Sequence, residues 1–155
     1  MITQQDVIDL CSSAANTGFN VNPENLTFLQ WNAGLQTHIP FALPANSAAV
    51  YIFKWNNFYL KVGKVNTNSN ARYQSQHYNP GSSPSNLART LRGEPEFHAM
   101  AAIIEPNDNN WGDWIKTNTT RYNIIIPSNL GKNFVHFAEA FFILKCTPMF
   151  ENTEA

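Results

Sequence analysis

The segment from residue 48 to residue 65, AAVYIFKWNNFYLKVGKV, limits the fold more than any other part of the chain. Two runs rich in Val, Ile, Tyr and Phe flank Asn56 and Asn57, and asparagine tolerates the positive φ of a tight turn, so the segment predicts a β-hairpin. Because side chains alternate along a strand, Tyr51 and Phe53 share one face of the first strand. On the returning strand, the residues that share one face are Tyr59, Lys61 and Gly63.

Helical periodicity and capping residues predict helices at both ends of the chain and short helices between them. These helices cover residues 3–15, 72–78, 85–92, 97–104, 111–116 and 133–146, with Thr3 and Ser85 as N-caps. RYNIII, residues 121–126, predicts a third strand that ends at Pro127, and residues 19–47 are predicted to be mostly irregular. The pattern indicates an α/β domain with a small three-stranded, antiparallel-rich central sheet flanked by helices, and an N-terminal helical extension.

Composition favours one globular, soluble unit. The chain has 155 residues, 43% of them hydrophobic and 14% charged, which excludes a disordered chain. No apolar run reaches the ~18 residues that a membrane span needs, and the N-terminus lacks the pattern of a secretory signal. We therefore expect a cytoplasmic protein without membrane contact, in which Cys11 and Cys146 are reduced.

Charge is unevenly distributed along the chain. Between Asn25 and Gly93 there are six positive residues and no negative one, whereas the rest of the chain has four positive and eleven negative residues. If the six cations converge in space, they form a surface that attracts phosphate groups. These six cations are Lys54, Lys61, Lys64, Arg72, Arg89 and Arg92.

Glu139 is the only acid in the last predicted helix, NFVHFAEAFFILKC, which should be buried on most sides. An ionised carboxylate in an apolar setting costs several kcal/mol unless a cation, a metal or hydrogen bonds receive it. Glu139 is therefore expected either to lie on the one solvated edge of the helix, to pair with Lys132 or Arg121, or to belong to a functional site.

The order of hairpin, basic helix, further helices, third strand and a helix with a central Glu resembles the GIY-YIG nuclease superfamily over residues 48–152. Ala49-Val50-Tyr51 matches the first motif, and Lys61-Val62-Gly63 matches the second, with Lys in place of the first Tyr as in some restriction-type members. Arg72 matches the family's arginine, and Glu139 in FAEAFFILKCTP matches its metal-binding glutamate.

The resemblance implies an endonuclease that hydrolyses phosphodiester bonds in DNA with one Mg²⁺ or Mn²⁺. Tyr51 would help to activate the attacking water, Lys61 and Arg72 would stabilise charge on the phosphate, and Glu139 would hold the metal. Nearby cations are expected to favour the Tyr51 phenolate. The remaining substrate-binding candidates are Gly63, Lys64, His77 and Arg89. We expect Tyr51, Lys61, Arg72 and Glu139 to line one accessible cleft.

Two positions depart from the family pattern. Gln76 occupies the offset one turn after the arginine, and His77 comes one residue later, about 140° from Arg72 on an ideal helix. Glu151 lies nearest to the slot of a family Asn, with Asn152 beside it. These departures keep open a catalytically inactive nucleic-acid-binding module with the same fold.

Two further alternatives remain open. His136 and Glu139 have the three-residue spacing of a metal-ligand pair, which His38, His77 or His98 would have to complete. Trp111 and Trp114 could belong to a protein-interaction surface, although core positions are the plainer interpretation.

The predicted domain organisation has two parts. Residues 1–47 form a helix and an irregular extension packed on the core, and residues 48–152 form the nuclease-like domain with an insertion at residues 93–120. The sequence leaves open the oligomeric state, including a homodimer, the choice between DNA and RNA, sequence specificity and biological role.

Overall fold

The computed structural model describes residues 1–103 and 110–150. The helices in these residues are α1 (Gln4–Ala15), α2 (Asn70–Gln74), α3 (Leu87–Arg92), α4 (Pro95–Met100), α5 (Trp111–Asn118) and α6 (Gly131–Cys146). The strands are β1 (Thr27–Trp31), β2 (Ser47–Trp55), β3 (Phe58–Val65) and β4 (Thr120–Pro127). Short 3₁₀ helices cover Pro23–Asn25, Gln76–Tyr78 and Ser128–Leu130.

The strands form one antiparallel sheet in the order β1-β4-β2-β3, flanked by helices. The predicted hairpin is confirmed as β2 and β3, which turn at Asn56 with a φ of 51°. The predicted strand count of three is wrong, because β1 pairs with β4 as a fourth strand. β1 lies in the segment predicted to be irregular, and its five residues are too few for an alternating pattern to stand out from a packed loop.

Two apolar cores lie on opposite faces of the sheet. On one face Val50, Ile52 and Ile124 belong to a buried cluster that also contains residues of α1 and α6. On the other face Tyr51 and Phe53 belong to a second buried cluster with residues of α2, α3, α4 and α5. Alternation along β2 therefore sends Tyr51 and its neighbour Val50 into different layers.

Most predicted helices are present, with four corrections. The predicted helix over residues 72–78 is divided into α2 and a 3₁₀ helix. The N-cap of α3 is Asn86 instead of Ser85, because Asn86 Oδ1 accepts a hydrogen bond from the Arg89 amide at 2.7 Å. α6 is buried along one face only, and Leu144 is 81% exposed. The helix predicted over residues 97–104 is shorter and begins earlier, because Pro95 occupies the first turn of α4 and the helix ends at Met100. The predicted position 104 lies outside the described residues, as do Glu151 and Asn152.

Among the described residues, no helix combines the length and the apolar character that crossing a membrane requires.

Asp6 fixes α1, which is capped at Thr3 as predicted, to α6. The Thr3 amide donates to Asp6 Oδ2 at 2.7 Å, and Lys145 Nζ lies 2.8 Å from Asp6 Oδ1. Burial acts to raise the pKa of the Asp6 carboxyl, but the hydrogen bonds from Lys145 and Thr3 outweigh burial and lower the pKa below its usual value. The ionised carboxylate therefore stabilises the packing of α1 against the helix that carries Glu139.

Asp6→Asn is expected to lower the free energy of unfolding by about 1 kcal/mol at neutral pH, since it removes a charged cap and an ion pair. Because the pKa of Asp6 is lower in the folded chain, this contribution is present above about pH 4 and is lost as the pH falls through the folded-state pKa. Urea denaturation at neutral and acidic pH measures both effects, with the exposed Asp9→Asn on the same helix as control. An equal loss in the two variants would contradict this account.

Candidate active site at the outer edge of the sheet

Tyr51 lies on β2 directly opposite Gly63 on β3, which is an outer strand of the sheet. A Cβ atom placed on Gly63 would lie only 2.5 Å from the Tyr51 hydroxyl oxygen and 2.6 Å from Cζ. The Tyr51 side chain therefore extends across β3 over the bare backbone of Gly63. Gly63 is a predicted substrate-binding residue, but on this face of the sheet the tyrosine ring fills the space above it.

Among the described residues, two side chains form hydrogen bonds with the Tyr51 hydroxyl oxygen. His77 Nε2 lies 2.7 Å away and Arg72 Nε lies 3.4 Å away. The Leu87 amide donates to His77 Nδ1 at 3.1 Å, so Nδ1 carries no hydrogen and Nε2–H is the donor to Tyr51. Burial, followed by the charges of nearby cations, lowers the pKa of His77 well below its usual value. Neutral His77 and cationic Arg72 thus both donate to the same oxygen.

The break between α2 and the following 3₁₀ helix brings His77 to this position. Arg72 and His77 would be about 140° apart on one continuous helix. α2 ends at Gln74, and Ser75 has a φ of −127°, which rotates the next turn of the chain. Both side chains therefore reach Tyr51, which the helical spacing alone did not predict.

Burial decides the protonation state of Tyr51, whose side chain is 0% exposed. Burial raises the pKa of the phenol, and the charges of Arg72 and Arg121 lower it without reversing the shift. The expectation that neighbouring cations favour the phenolate is thus right in direction for Arg72 but wrong in outcome. Tyr51 is a neutral phenol at neutral pH.

Lys64, Arg72 and Glu139 line one open pocket of about 320 Å³ on the outer side of β3, together with Val65, Asn66 and Ser69. The Glu139 carboxylate accepts a hydrogen bond from Lys64 Nζ. The ion-pair partner of Glu139 is therefore Lys64, and not the Lys132 or Arg121 that the sequence analysis considered. The structure brings together three of the predicted site residues, which come from β3, α2 and α6.

Arg72 connects this pocket to the buried tyrosine. Glu139 belongs to α6 on one face of the sheet, whereas Tyr51 faces the other. Among the residues that the structure describes at this edge, Arg72 alone lines the pocket and also contacts the Tyr51 hydroxyl. The expected single cleft is thus present in part, because Tyr51 lies behind Arg72 and does not line the pocket.

The remaining two predicted residues lie outside the pocket lining. Lys61 is 5% exposed and pairs with Phe53, on the same face of the sheet as Tyr51. Its charge contributes to the lowered pKa of His77, after burial and Arg121. Arg89 is exposed on α3 and is not among the described residues around the pocket.

The pocket offers few ligands for a metal. Residues 1–103 and 110–150 contain no group of three or more His, Cys, Asp or Glu residues that could hold a metal ion. Glu139 is the carboxylate of the pocket, with oxygen-bearing Asn66 and Ser69 beside it. Such hard oxygen donors suit one Mg²⁺ or Mn²⁺ that keeps several waters, and they fit a weak site.

The alternative site around His136 gains no support from the other histidines. His38 contacts the Thr119 carbonyl and the Tyr78 hydroxyl, and His98 Nε2 lies 2.6 Å from the Leu91 carbonyl. His77 is bonded to Tyr51 and Leu87 as described above. Each of these three histidines is therefore engaged away from Glu139.

Sequence reasoning missed Arg121 as a neighbour of Tyr51. Arg121 is 0% exposed, and its guanidinium carbon lies 5.0 Å from the centroid of the Tyr51 ring. The available signal was the alternation of Arg121 and Asn123 along a predicted strand, which places two polar side chains on one face.

Comparison of the chain with family models, with curated proteins and with solved structures finds no match.

Gly63→Ala is expected to lower the free energy of unfolding by about 1–3 kcal/mol, because the added methyl group overlaps the Tyr51 ring. Gly81→Ala is the control, since its Cβ would meet only a side-chain oxygen, at 3.5 Å. Chemical denaturation measures both variants. A double-mutant cycle with Tyr51→Leu should show coupling, because removing the ring relieves the overlap. Additive losses in that cycle would contradict the contact.

Proposed function

We propose that this protein is a divalent-metal-dependent endonuclease that hydrolyses phosphodiester bonds in DNA, and that its four-stranded sheet is of the GIY-YIG type. The observation that carries the proposal is the position of Arg72. Arg72 Nε is within 3.4 Å of the Tyr51 hydroxyl, and the same side chain lines the pocket with Lys64 and Glu139. One arginine thus contacts the phenol and lines the pocket that contains the acid, which supports grouping these residues in one site.

The two cations of the pocket suit a phosphate group. Arg72 offers several N–H donors in a planar fork, and Lys64 offers a compact charge on the same wall. During hydrolysis, negative charge increases on the non-bridging oxygens, and cations already in position stabilise it without further rearrangement. Lys61 would contribute from behind this wall, through the local positive potential.

Tyr51 would accept a proton from the attacking water. This role requires the phenolate, and both groups bonded to the Tyr51 oxygen are donors, which suits an anion. It also requires access to water, and the Tyr51 side chain is completely buried in this state. When Arg72 binds a phosphate in the pocket, its guanidinium would turn away from Tyr51 and expose the oxygen to that phosphate.

Glu139 would hold the divalent metal. A bound metal supplies positive charge for the phosphate oxygens and a water of lowered pKa. The Glu139 carboxylate forms an ion pair with Lys64 in this structure, so a metal that binds Glu139 would have to displace Lys64. The acid is partly exposed at the pocket, which allows that exchange.

A catalytically inactive DNA-binding module is the second candidate. The observations that favour it are the ion pair between Glu139 and Lys64 and the complete burial of Tyr51. In this case the pocket would bind a backbone phosphate and would not cleave it.

Metal-dependent nicking of supercoiled plasmid distinguishes the two candidates. With Mg²⁺ or Mn²⁺ the wild-type protein is expected to cleave, and Glu139→Gln is expected to reduce the rate by at least about 100-fold. Tyr51→Phe should cause a loss of similar size, because it removes the proton acceptor. Glu24→Gln is the matched control, because Glu24 is an exposed acid distant in sequence from Glu139, and it should leave the rate unchanged. DNA binding without metal-dependent cleavage would establish the inactive module instead.

Lys64→Gln is expected to strengthen Mn²⁺ binding roughly two- to fivefold, since it frees the Glu139 carboxylate from its ion pair. Isothermal titration calorimetry without DNA measures this affinity, and Glu139→Gln should abolish it. Lys132→Gln, which removes an exposed lysine of a neighbouring pocket, is the control. Unchanged affinity in Lys64→Gln would contradict the assignment of Glu139 as the metal ligand.

A further inference from the structure

Arg121 on β4 is a completely buried cation enclosed by aromatic rings. Its guanidinium carbon lies between 4.4 and 5.1 Å from four ring centroids. These rings belong to Trp31, Tyr51, Phe53 and Tyr73. A guanidinium at this distance from a ring centroid is attracted to the negative face of the π-system.

Neutral groups make the hydrogen bonds of Arg121. Its Nε donates to Asn123 Oδ1 at 2.9 Å, and its Nη1 donates to the Tyr78 hydroxyl at 3.2 Å. Its Nη2 has no hydrogen-bond partner among the described residues. Burying a charge among neutral partners is expensive, and an apolar side chain of similar size would often be more stable in such a place. Stability alone therefore does not account for a cation at this buried position.

A chain of hydrogen bonds fixes the position of the guanidinium. The Thr119 carbonyl accepts from His38 Nδ1 at 2.9 Å, so His38 Nε2 accepts from the Tyr78 hydroxyl at 2.6 Å. The Tyr78 oxygen is then available as an acceptor for Arg121. Burial lowers the pKa of His38 to about 4, so His38 is neutral at physiological pH. Arg121 is therefore the charged member of this hydrogen-bond series, which holds its guanidinium beside the Tyr51 ring.

We propose that Arg121 is a positioning residue that holds the Tyr51 ring over Gly63 and stabilises Tyr51 as an anion. The π face of a phenolate is more negative than that of a phenol, so the same contact is stronger after ionisation. The phenol proton passes to a solvent base on ionisation, and the attacking water later supplies its replacement. That catalytic use rests on the proposed function, whereas the effect on ionisation does not.

Other charged or titratable groups also face Tyr51 from the elements packed around it. Arg72 on α2 and His77 on the 3₁₀ helix contact its oxygen, Lys61 is on β3, and Glu139 on α6 acts through space. Arg72 lines the open pocket, where a bound phosphate would compete with the phenol for its donors, whereas Arg121 is completely buried. Arg121 would thus keep a positive charge in contact with the Tyr51 ring throughout a reaction cycle.

Fluorine NMR tests this inference without any activity measurement. A ring-fluorinated tyrosine inserted at position 51 has a lowered phenol pKa, which brings its ionisation into an accessible pH range. Arg121→Met is expected to move the titration midpoint of this residue upward by about one pH unit, a tenfold smaller ionisation constant. Arg121→Lys should keep most of the wild-type midpoint, because it retains a charge. Lys132→Met, which removes an exposed charge, is the matched control.

Asn123→Asp supplies a second test that keeps the guanidinium and its packing. The new carboxylate would lie beside Arg121 Nε and pair with it. We expect the unfolding free energy to rise and the midpoint of residue 51 to move upward as well. If Arg121→Met does not fold, an unchanged midpoint in Asn123→Asp is decisive, because the new carboxylate lies opposite Tyr51 and both its own charge and its pairing with Arg121 would raise that midpoint.

The role of Arg121 would be overturned if the midpoint of residue 51 were unchanged in both Arg121→Met and Asn123→Asp. If Arg121→Met does not fold, an unchanged midpoint in Asn123→Asp alone would overturn it. Either result would hold even if the protein cleaves DNA. A shifted midpoint in a protein that does not cleave DNA would support the role of Arg121 and refute only the nuclease.

Discussion

Tyr51 lies across the strand pair from Gly63, and the arrangement of the candidate site depends on this pairing. The absence of a side chain at Gly63 lets the phenol ring lie over β3, where a methyl group would overlap it. The hydroxyl oxygen is then within reach of Arg72 and His77, which come from the helical layer on the same face. A register shift of one residue would turn Tyr51 into the opposite core and separate it from both partners.

Charge at this edge of the sheet is arranged in two layers. Arg72 and Lys64 line an open pocket with Glu139, whereas Arg121 and Lys61 are buried on the face that carries Tyr51. The outer cations lie at an open pocket, where a ligand would meet them. Arg121 is held beside Tyr51 by aromatic rings and neutral hydrogen bonds.

Local patterns account for the elements that sequence analysis predicted well. The hairpin follows from two apolar strands around asparagines, and α6 follows from an apolar run without Gly or Pro between Lys132 and Cys146. β1 was missed because its stability comes from pairing with β4, which is distant in sequence. His77 was misplaced because tertiary packing, which helical periodicity does not include, breaks the helix after Gln74. The burial of Tyr51 and Arg121 likewise depends on layers that only the folded chain assembles.

In the proposed nuclease, Tyr51 and Glu139 cooperate in one active site, and single-turnover cleavage of a short DNA duplex by Tyr51→Phe, Glu139→Gln and the double variant measures this cooperation. Residues that act in one catalytic unit have strongly non-additive effects on rate. We therefore expect the double variant to be hardly slower than the slower single variant. Effects that multiply in the double variant, or single variants as fast as the wild-type protein, would contradict a shared active site.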